Sequence, residues 1–128
     1  MKIASQDNVD AIKITQVTPM SVDVGDSLIT KPFFVGTNHS VNLWVQNTDK
    51  VEVDAIKKLP LEQYELLLIG TGDNYTWLEN ECMSFLVDTI PFEIMTTVSA
   101  CRTFNIVAGE GRKVLLAALV GCDSKAEK

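Results

Sequence analysis

The sequence has no long apolar run. Its longest near the end, Val114 to Val120, falls far short of the ~20 residues that a membrane-spanning helix needs. The start, Met1 to Ala11, is polar and carries no apolar segment of the kind a signal peptide requires. Histidine is nearly absent, with His39 alone. The cysteines Cys82, Cys101 and Cys122 are odd in number and form no CxxC pair, which speaks against a disulfide framework and a zinc site. Free thiols fit a reducing compartment, so a cytoplasmic location is expected. Basic residues are the minority, 11 against 17 acidic, for a net charge of −6. That balance argues against nucleic acid and against an anionic membrane surface, both of which want a basic patch. There is no GxGxxG fingerprint, no P-loop lysine, no internal repeat and no low-complexity segment. Paired carboxylates suited to acid–base work are not evident. Glu62, Glu65, Glu79 and Glu81 read as solvated faces. No catalytic residue, metal ligand or cofactor is assigned.

What is present is an ordinary globular composition, 46% hydrophobic over 128 residues. That length suits a single domain over 1–128 with one core, and loose ends are expected at 1–11 and 122–128. The chain is organised around Leu66-Leu67-Leu68-Ile69-Gly70-Thr71-Gly72. Four apolar residues closed by Gly-Thr-Gly read as a strand buried on both faces, ending in a tight loop. Ahead of it lie short strands. Ile12, Ile14 and Val17 near-alternate with polar residues, and Val22 and Val24 alternate with Ser21 and Asp23. Gly25-Asp26 supplies a hairpin turn, since glycine takes the positive φ such turns need. Leu28-Ile29 returns, and Lys31-Pro32 breaks the ladder. Phe33 to Gly36 and Val41 to Val45 add two more strands around a turn at 37–40. The first half is thus expected to be an antiparallel, mostly local sheet. Val53 to Leu59 suits one or two helical turns, stopped at Pro60.

After Gly72 the periodicity changes. Leu78, Cys82, Phe85 and Leu86 fall on one helix face, with Asp73 or Asn74 as the expected cap. Phe92 to Met95 is a short strand. Thr96 or Thr97 caps a second helix with Ala100, Cys101, Phe104, Val107 and Ala108 on its apolar face and Gly109 as its stop. Lys113 to Val120 reads as another buried strand. The alternation predicts an α/β fold in three layers: an antiparallel β-rich N-terminal half packed on a central mixed, largely parallel sheet with flanking helices.

In such sheets ligands collect beyond the carboxyl ends of parallel strands. Gly70, Thr71 and Gly72 stand at one such end, and Thr97 and Ser99 at the next. Both loops lead toward helix N-termini, which present unpaired N–H groups to an anion. Arg102 and Asn105 lie on one flank of the second helix, and an arginine fork suits an oxyanion. Gly70, Thr71, Gly72, Thr97, Ser99, Arg102 and Asn105 therefore outline a candidate cleft. The competing reading is that the glycines only make a tight turn, their commonest use. Cys101 stands near a helix start beside Arg102, yet it falls on the apolar stripe, so core packing is expected over reactivity. His39 reads as a solvated loop residue. Glu110-Gly111-Arg112 is a charged turn, read either as a local ion pair or as a lining of the same cleft. Ile106 breaks the apolar stripe, so it either packs under the turn after Gly109 or belongs to an exposed apolar patch for a partner or a second subunit, and surface residues near Trp44 and Trp77 are further candidate contacts.

The run Glu65 to Gly72, then Phe92-Glu-Ile-Met-Thr-Thr-Val-Ser-Ala-Cys-Arg-Thr-Phe-Asn105, then Glu110-Gly-Arg112 and Val114 to Val120, resembles a small domain family of unknown function. Its relatives include mitochondrial complex I assembly factor three and the adipogenesis-associated domain protein. The resemblance spans about residues 12–120 and is most specific from 65 to 120. It implies the same compact three-layer fold and a cleft bordered by Gly70–Gly72 and Thr97–Asn105. The family often has an acid where Thr96 stands and alanine where Ser99 stands, so an activity depending on that acid is not expected here. The resemblance implies a non-catalytic binding or assembly factor, with subunits or assembly factors of a membrane or respiratory complex as partners. The alternative is a protein or enzyme that binds a small anion in that cleft. No nucleic-acid partner and no membrane insertion are expected.

Overall fold

The computed structural model describes residues 13–18, 20–44 and 50–121. Ile12, Val45, Cys122 and the two ends expected to be loose lie outside those residues. The elements run β1 (Ile14–Val17), β2 (Val22–Val24), β3 (Ser27–Ile29), β4 (Phe33–Gly36), β5 (His39–Leu43), α1 (Val53–Lys57), a 3₁₀ turn (Leu61–Gln63), β6 (Leu66–Gly70), α2 (Asn80–Val87), β7 (Phe92–Met95), α3 (Thr97–Gly109) and β8 (Val114–Ala118).

The strands form two sheets. β1, β2 and β3 make a three-stranded antiparallel sheet, and the other five are ordered β5-β4-β8-β6-β7. β6 is parallel to both neighbours, with Leu67 opposite Phe92 of β7 and Leu66 opposite Val114 of β8. β4 runs antiparallel to β8, with Phe33 opposite Ala118, and carries β5 on its other edge. The mixed α/β architecture is the one predicted. The first half is not one local sheet, however. Lys31-Pro32 divides it, and the β4–β5 hairpin joins the last strand of the chain.

The core divides by strand alternation, since successive side chains point to opposite faces. Leu67, Ile69, Leu115 and Ala117 pack toward Ala55 and Ile56 of α1 and Cys82 and Leu86 of α2. Leu68, Val114, Leu116 and Ala118 pack toward Ala100, Cys101, Phe104 and Val107 of α3 and toward Ile14, Val22 and Val24 of the small sheet. Apolar layers on both faces explain why β6 and β8 carry near-continuous apolar runs. Each fully buried leucine or isoleucine there contributes roughly 1.5–3 kcal/mol relative to an exposed one.

The starts of α2 and β5 differ from the sequence reading, each for a local reason. α2 begins at Asn80, with Glu79 at its cap position and no side-chain cap bond. Asp73 and Asn74 instead belong to a turn in which Thr71 Oγ1 donates to the Asn74 carbonyl at 2.7 Å. α3 ends at Gly109 as expected, although the residue with positive φ after it is Gly111 at 86°. Its N–H returns to the Ala108 carbonyl at 3.0 Å, which closes the last turn. β5 starts at His39 rather than Val41, leaving Thr37-Asn38 as the turn. The Gly25-Asp26 hairpin is as expected, with Gly25 at φ 58° and Val24 opposite Ser27.

Candidate functional site

The β6 exit loop and the start of α3 meet. Thr96 caps α3, its Oγ1 accepting from the Ser99 N–H at 3.3 Å. Thr97 follows as the first helical residue and is 2% exposed. Its Oγ1 accepts from the Gly72 N–H at 2.9 Å and donates to the Leu119 carbonyl at 2.8 Å. Its own N–H donates to the Gly72 carbonyl at 3.0 Å, while the Thr71 N–H donates to the Met95 carbonyl at 2.9 Å. Leu119 in turn donates to the Gly70 carbonyl at 2.9 Å. One buried hydroxyl thus ties together the ends of β6 and β8 and the head of α3. Gly70 lets them approach. A Cβ there would stand 2.8 Å from Thr97 Oγ1 and 2.9 Å from Thr97 Cα.

The seven residues of the expected cleft are distributed over three places. Gly70, Thr71, Gly72 and Thr97 form the stitched junction just described. Ser99 is exposed on the first turn of α3. Arg102 and Asn105 line a separate cavity of about 140 Å³ between α3 and β1, together with Val98, Cys101, Ile14, Thr15 and Val17. The Asn105 amide is engaged there with the backbone of β1. Its Nδ2 donates to the Ile14 carbonyl at 2.8 Å, and its Oδ1 accepts from the Ile14 N–H at 3.1 Å. Asn105→Ala is expected to strand both backbone groups and cost about 2 kcal/mol. A urea melt measures it, and a variant as stable as the parent would refute the role. Arg102 is exposed and makes no ion pair among the described residues. Cys101 lies at the base of this cavity, 1% exposed, and burial pushes its thiol up to about 12. It is a core residue held protonated, as its place on the apolar stripe implies.

Glu110 is exposed at the end of α3. Arg112 pairs loosely with Glu65, Nε to Oε1 at 3.8 Å, while Glu65 Oε2 accepts from the Lys113 N–H at 3.0 Å. His39 is not a free loop residue. It is half-buried, with Nδ1 2.5 Å from the Tyr64 hydroxyl, which also accepts from the Asn38 N–H at 3.1 Å. Trp44 is 4% exposed, and its Nε1 donates to the Ala55 carbonyl at 3.0 Å, so it belongs to the core. Ile106 is 62% exposed, the second of its two expected placements.

A second cavity, of about 150 Å³, lies beside the loop that joins β6 to α2. Val51, Leu78 and Leu119 give it apolar walls, Thr71 and Thr76 add hydroxyls, and Lys50 and Glu79 stand at its edge, 2.7 Å apart. Trp77 overhangs it, 75% exposed, with Tyr75 packed edge-on at a centroid distance of 5.6 Å. The sequence points to surface residues near Trp77 as contacts for a partner but to no cavity there, because a helix cap at Asp73 or Asn74 places this loop in a helix start. Among the described residues no cluster of His, Cys, Asp and Glu is arranged to hold a metal ion, and no helix is long and apolar enough to cross a membrane.

The family described as a protein of unknown function (DUF498/DUF598) matches over residues 14–119, and the chain belongs to it. No curated protein matches significantly. A crystal structure of a Bordetella parapertussis protein is similar, at 26% identity over 89% of this chain and 99% of that one, with a TM-score of 0.77. A Bordetella pertussis protein described as an Mth938-like domain is 22% identical over 96% and 94%, with a TM-score of 0.75. A Bartonella henselae protein described as an outer membrane protein is 22% identical over 85% and 94%, with a TM-score of 0.76. These likenesses establish the fold.

Proposed function

We propose that this member of the DUF498/DUF598 family is a binding domain that docks onto a protein partner through the Tyr75–Trp77 loop. The observation that carries this reading is the exposed indole of Trp77, braced by Tyr75 over an apolar-walled cavity. Tryptophan and tyrosine are the residues most often found anchoring protein interfaces, because they bury much area at little conformational cost. Ile106 is a second exposed apolar position, on α3. The resemblance to complex I assembly factors supports a subunit or assembly intermediate of a membrane complex, such as the respiratory NADH dehydrogenase, as the partner class. Two buried free thiols, Cys82 and Cys101, support work in a reducing compartment such as the cytoplasm.

The test is complementation. Deleting the chain from its own cells is expected to lower the amount of assembled complex on native gels. The parent sequence restores it, and Trp77→Ala restores it at least ~10-fold less well, as truncating an interface anchor should. Equal rescue by both, or no assembly defect on deletion, sinks the reading.

A second reading is favoured by the Arg102 cavity. An oxyanion there would meet the exposed guanidinium beside Thr15 and Asn105. Millimolar phosphate or acetate is expected to raise the melting temperature of the parent but not of Arg102→Ala. Identical responses would dismiss the reading.

A further inference from the structure

We propose that the cavity between α3 and β1 binds a small aliphatic monocarboxylate, with its carboxylate on Arg102 and its hydrocarbon tail over Cys101. The inference rests on the oxyanion reading of that cavity and adds the class of ligand. The shape of β1 makes the space. Ile14 lies opposite Val24 and Gln16 opposite Asp23, so Thr15 is an extra residue without a partner on β2. Such a bulge bends its strand and re-aims the side chains around it. The Asn105 amide pins the strand at this point through its two bonds to the Ile14 backbone. A space of about 140 Å³ remains between strand and helix.

Charge selects the head of the ligand. Arg102 is exposed and stands at the open end, and it makes no ion pair among the described residues. Among the described residues no carboxylate lines the cavity, so this cation is left uncompensated on a chain whose net charge is −6. Its fork matches the two oxygens of one carboxylate. Asn105 adds a donor, because Nδ2 carries two hydrogens and the Ile14 carbonyl takes only one of them. A phosphate brings more acceptor oxygens and up to a second charge, and no second cation lines the cavity among the described residues.

The walls select the tail. Ile14 and Cys101 are 6% and 1% exposed, so core packing fixes the closed end, and Val17 and Val98 complete the apolar lining. Burial holds the Cys101 thiol protonated, so that end carries neither a charge nor a nucleophile. A hydrated inorganic anion leaves these walls uncovered, whereas a short hydrocarbon covers them. Size sets the limit. An apolar cavity of about 150 Å³ holds benzene, with its six heavy atoms, and butyrate has the same number. An eight-carbon tail would lift the carboxylate off Arg102.

A methyl NMR titration of the full chain tests the assignment. It follows Ile14, Val17 and Val98 as sodium acetate, butyrate, octanoate or phosphate, or neutral butan-1-ol, is added at constant ionic strength. Butyrate is expected to shift these methyls and to bind at least ~10-fold more tightly than acetate, since each buried methylene contributes about fourfold. Octanoate is expected to bind no more tightly than butyrate. Arg102→Ala, a change at an exposed position, is expected to weaken butyrate at least ~10-fold. Val98→Phe fills the space and is expected to abolish the advantage of butyrate over acetate. Acetate, phosphate and butyrate binding equally, all through Arg102, would overturn the aliphatic tail and leave the oxyanion reading standing. Octanoate binding more tightly than butyrate would overturn the cavity as the seat of the tail, again without touching that reading. If butan-1-ol matches butyrate, if Arg102→Ala leaves butyrate binding unchanged, or if no anion moves the methyls, the proposal and the oxyanion reading fail together.

Discussion

Gly70→Ala is expected to cost about 3 kcal/mol or more and to lower the melting temperature by roughly 10 °C or more. The added methyl would sit 2.8 Å from Thr97 Oγ1 and 2.9 Å from Thr97 Cα. The second contact is the decisive one, because it is backbone. Relief requires moving the head of α3 away from β6. That movement would stretch the bonds from Gly72 to Thr97 and from Thr97 to Leu119. Removing the Thr97 side chain should therefore not rescue the variant. Thr97→Ala with Gly70→Ala is expected to be no more stable than Gly70→Ala alone, measured by denaturant unfolding. A double variant that regains the parent's midpoint would show the clash to be with the side chain only. Domains of this size have about 5–15 kcal/mol of net stability, so the single change removes a large share of it.

Gly36→Ala tests the opposite case. Its Cβ would overlap the ring of Tyr64, with Cε1 at 2.7 Å from the added atom. Tyr64 is buried against the β4–β5 hairpin, and its hydroxyl is bonded to His39 and to the Asn38 N–H. The ring must leave, and those bonds go with it. A loss of about 3 kcal/mol is expected, from overpacking and from the abandoned polar contacts. Here a side chain is the obstacle, so the cost should shrink to under ~1 kcal/mol when Tyr64→Leu is already present. A double-mutant cycle reads this coupling directly. Additive losses would mean that the hairpin, not the ring, resists the methyl. Together the two glycines distinguish a close approach set by backbone, at the head of α3, from one set by a tyrosine side chain, at the β4–β5 hairpin.

The sequence supports the element types closely. Leu66 to Ile69 and Val114 to Val120 are apolar without alternation, and strands covered on two faces form over Leu66–Gly70 and Val114–Ala118. The stripe Ala100, Cys101, Phe104 and Val107 became the buried side of α3. These assignments depend only on periodicity, which is a local property. The candidate site was less legible. Gly70 to Gly72 and Thr97 were rightly brought together, since both stand at strand ends in a β-α-β-α-β order. Their spacing along the chain does not say that Thr97 Oγ1 would take up the Gly72 N–H. Nor does helical spacing say that the flank bearing Arg102 and Asn105 faces β1, some ninety positions earlier. His39 looked solvated because nothing nearby in sequence holds it. Its partner, Tyr64, arrives from the segment before β6.

Sequence alone determined the composition, the net charge of −6, the order of helices and strands, and the two apolar central strands. Each follows from residue type and local period. Tertiary structure decided that Pro32 divides the N-terminal strands between two sheets, and that β8 lies between β4 and β6. It also decided that Trp44 is buried while Trp77 stands exposed over a cavity. The physical reason is the same throughout. Strand pairing and side-chain exposure depend on contacts between residues far apart in the chain, and no local pattern specifies which distant surface covers a given side chain.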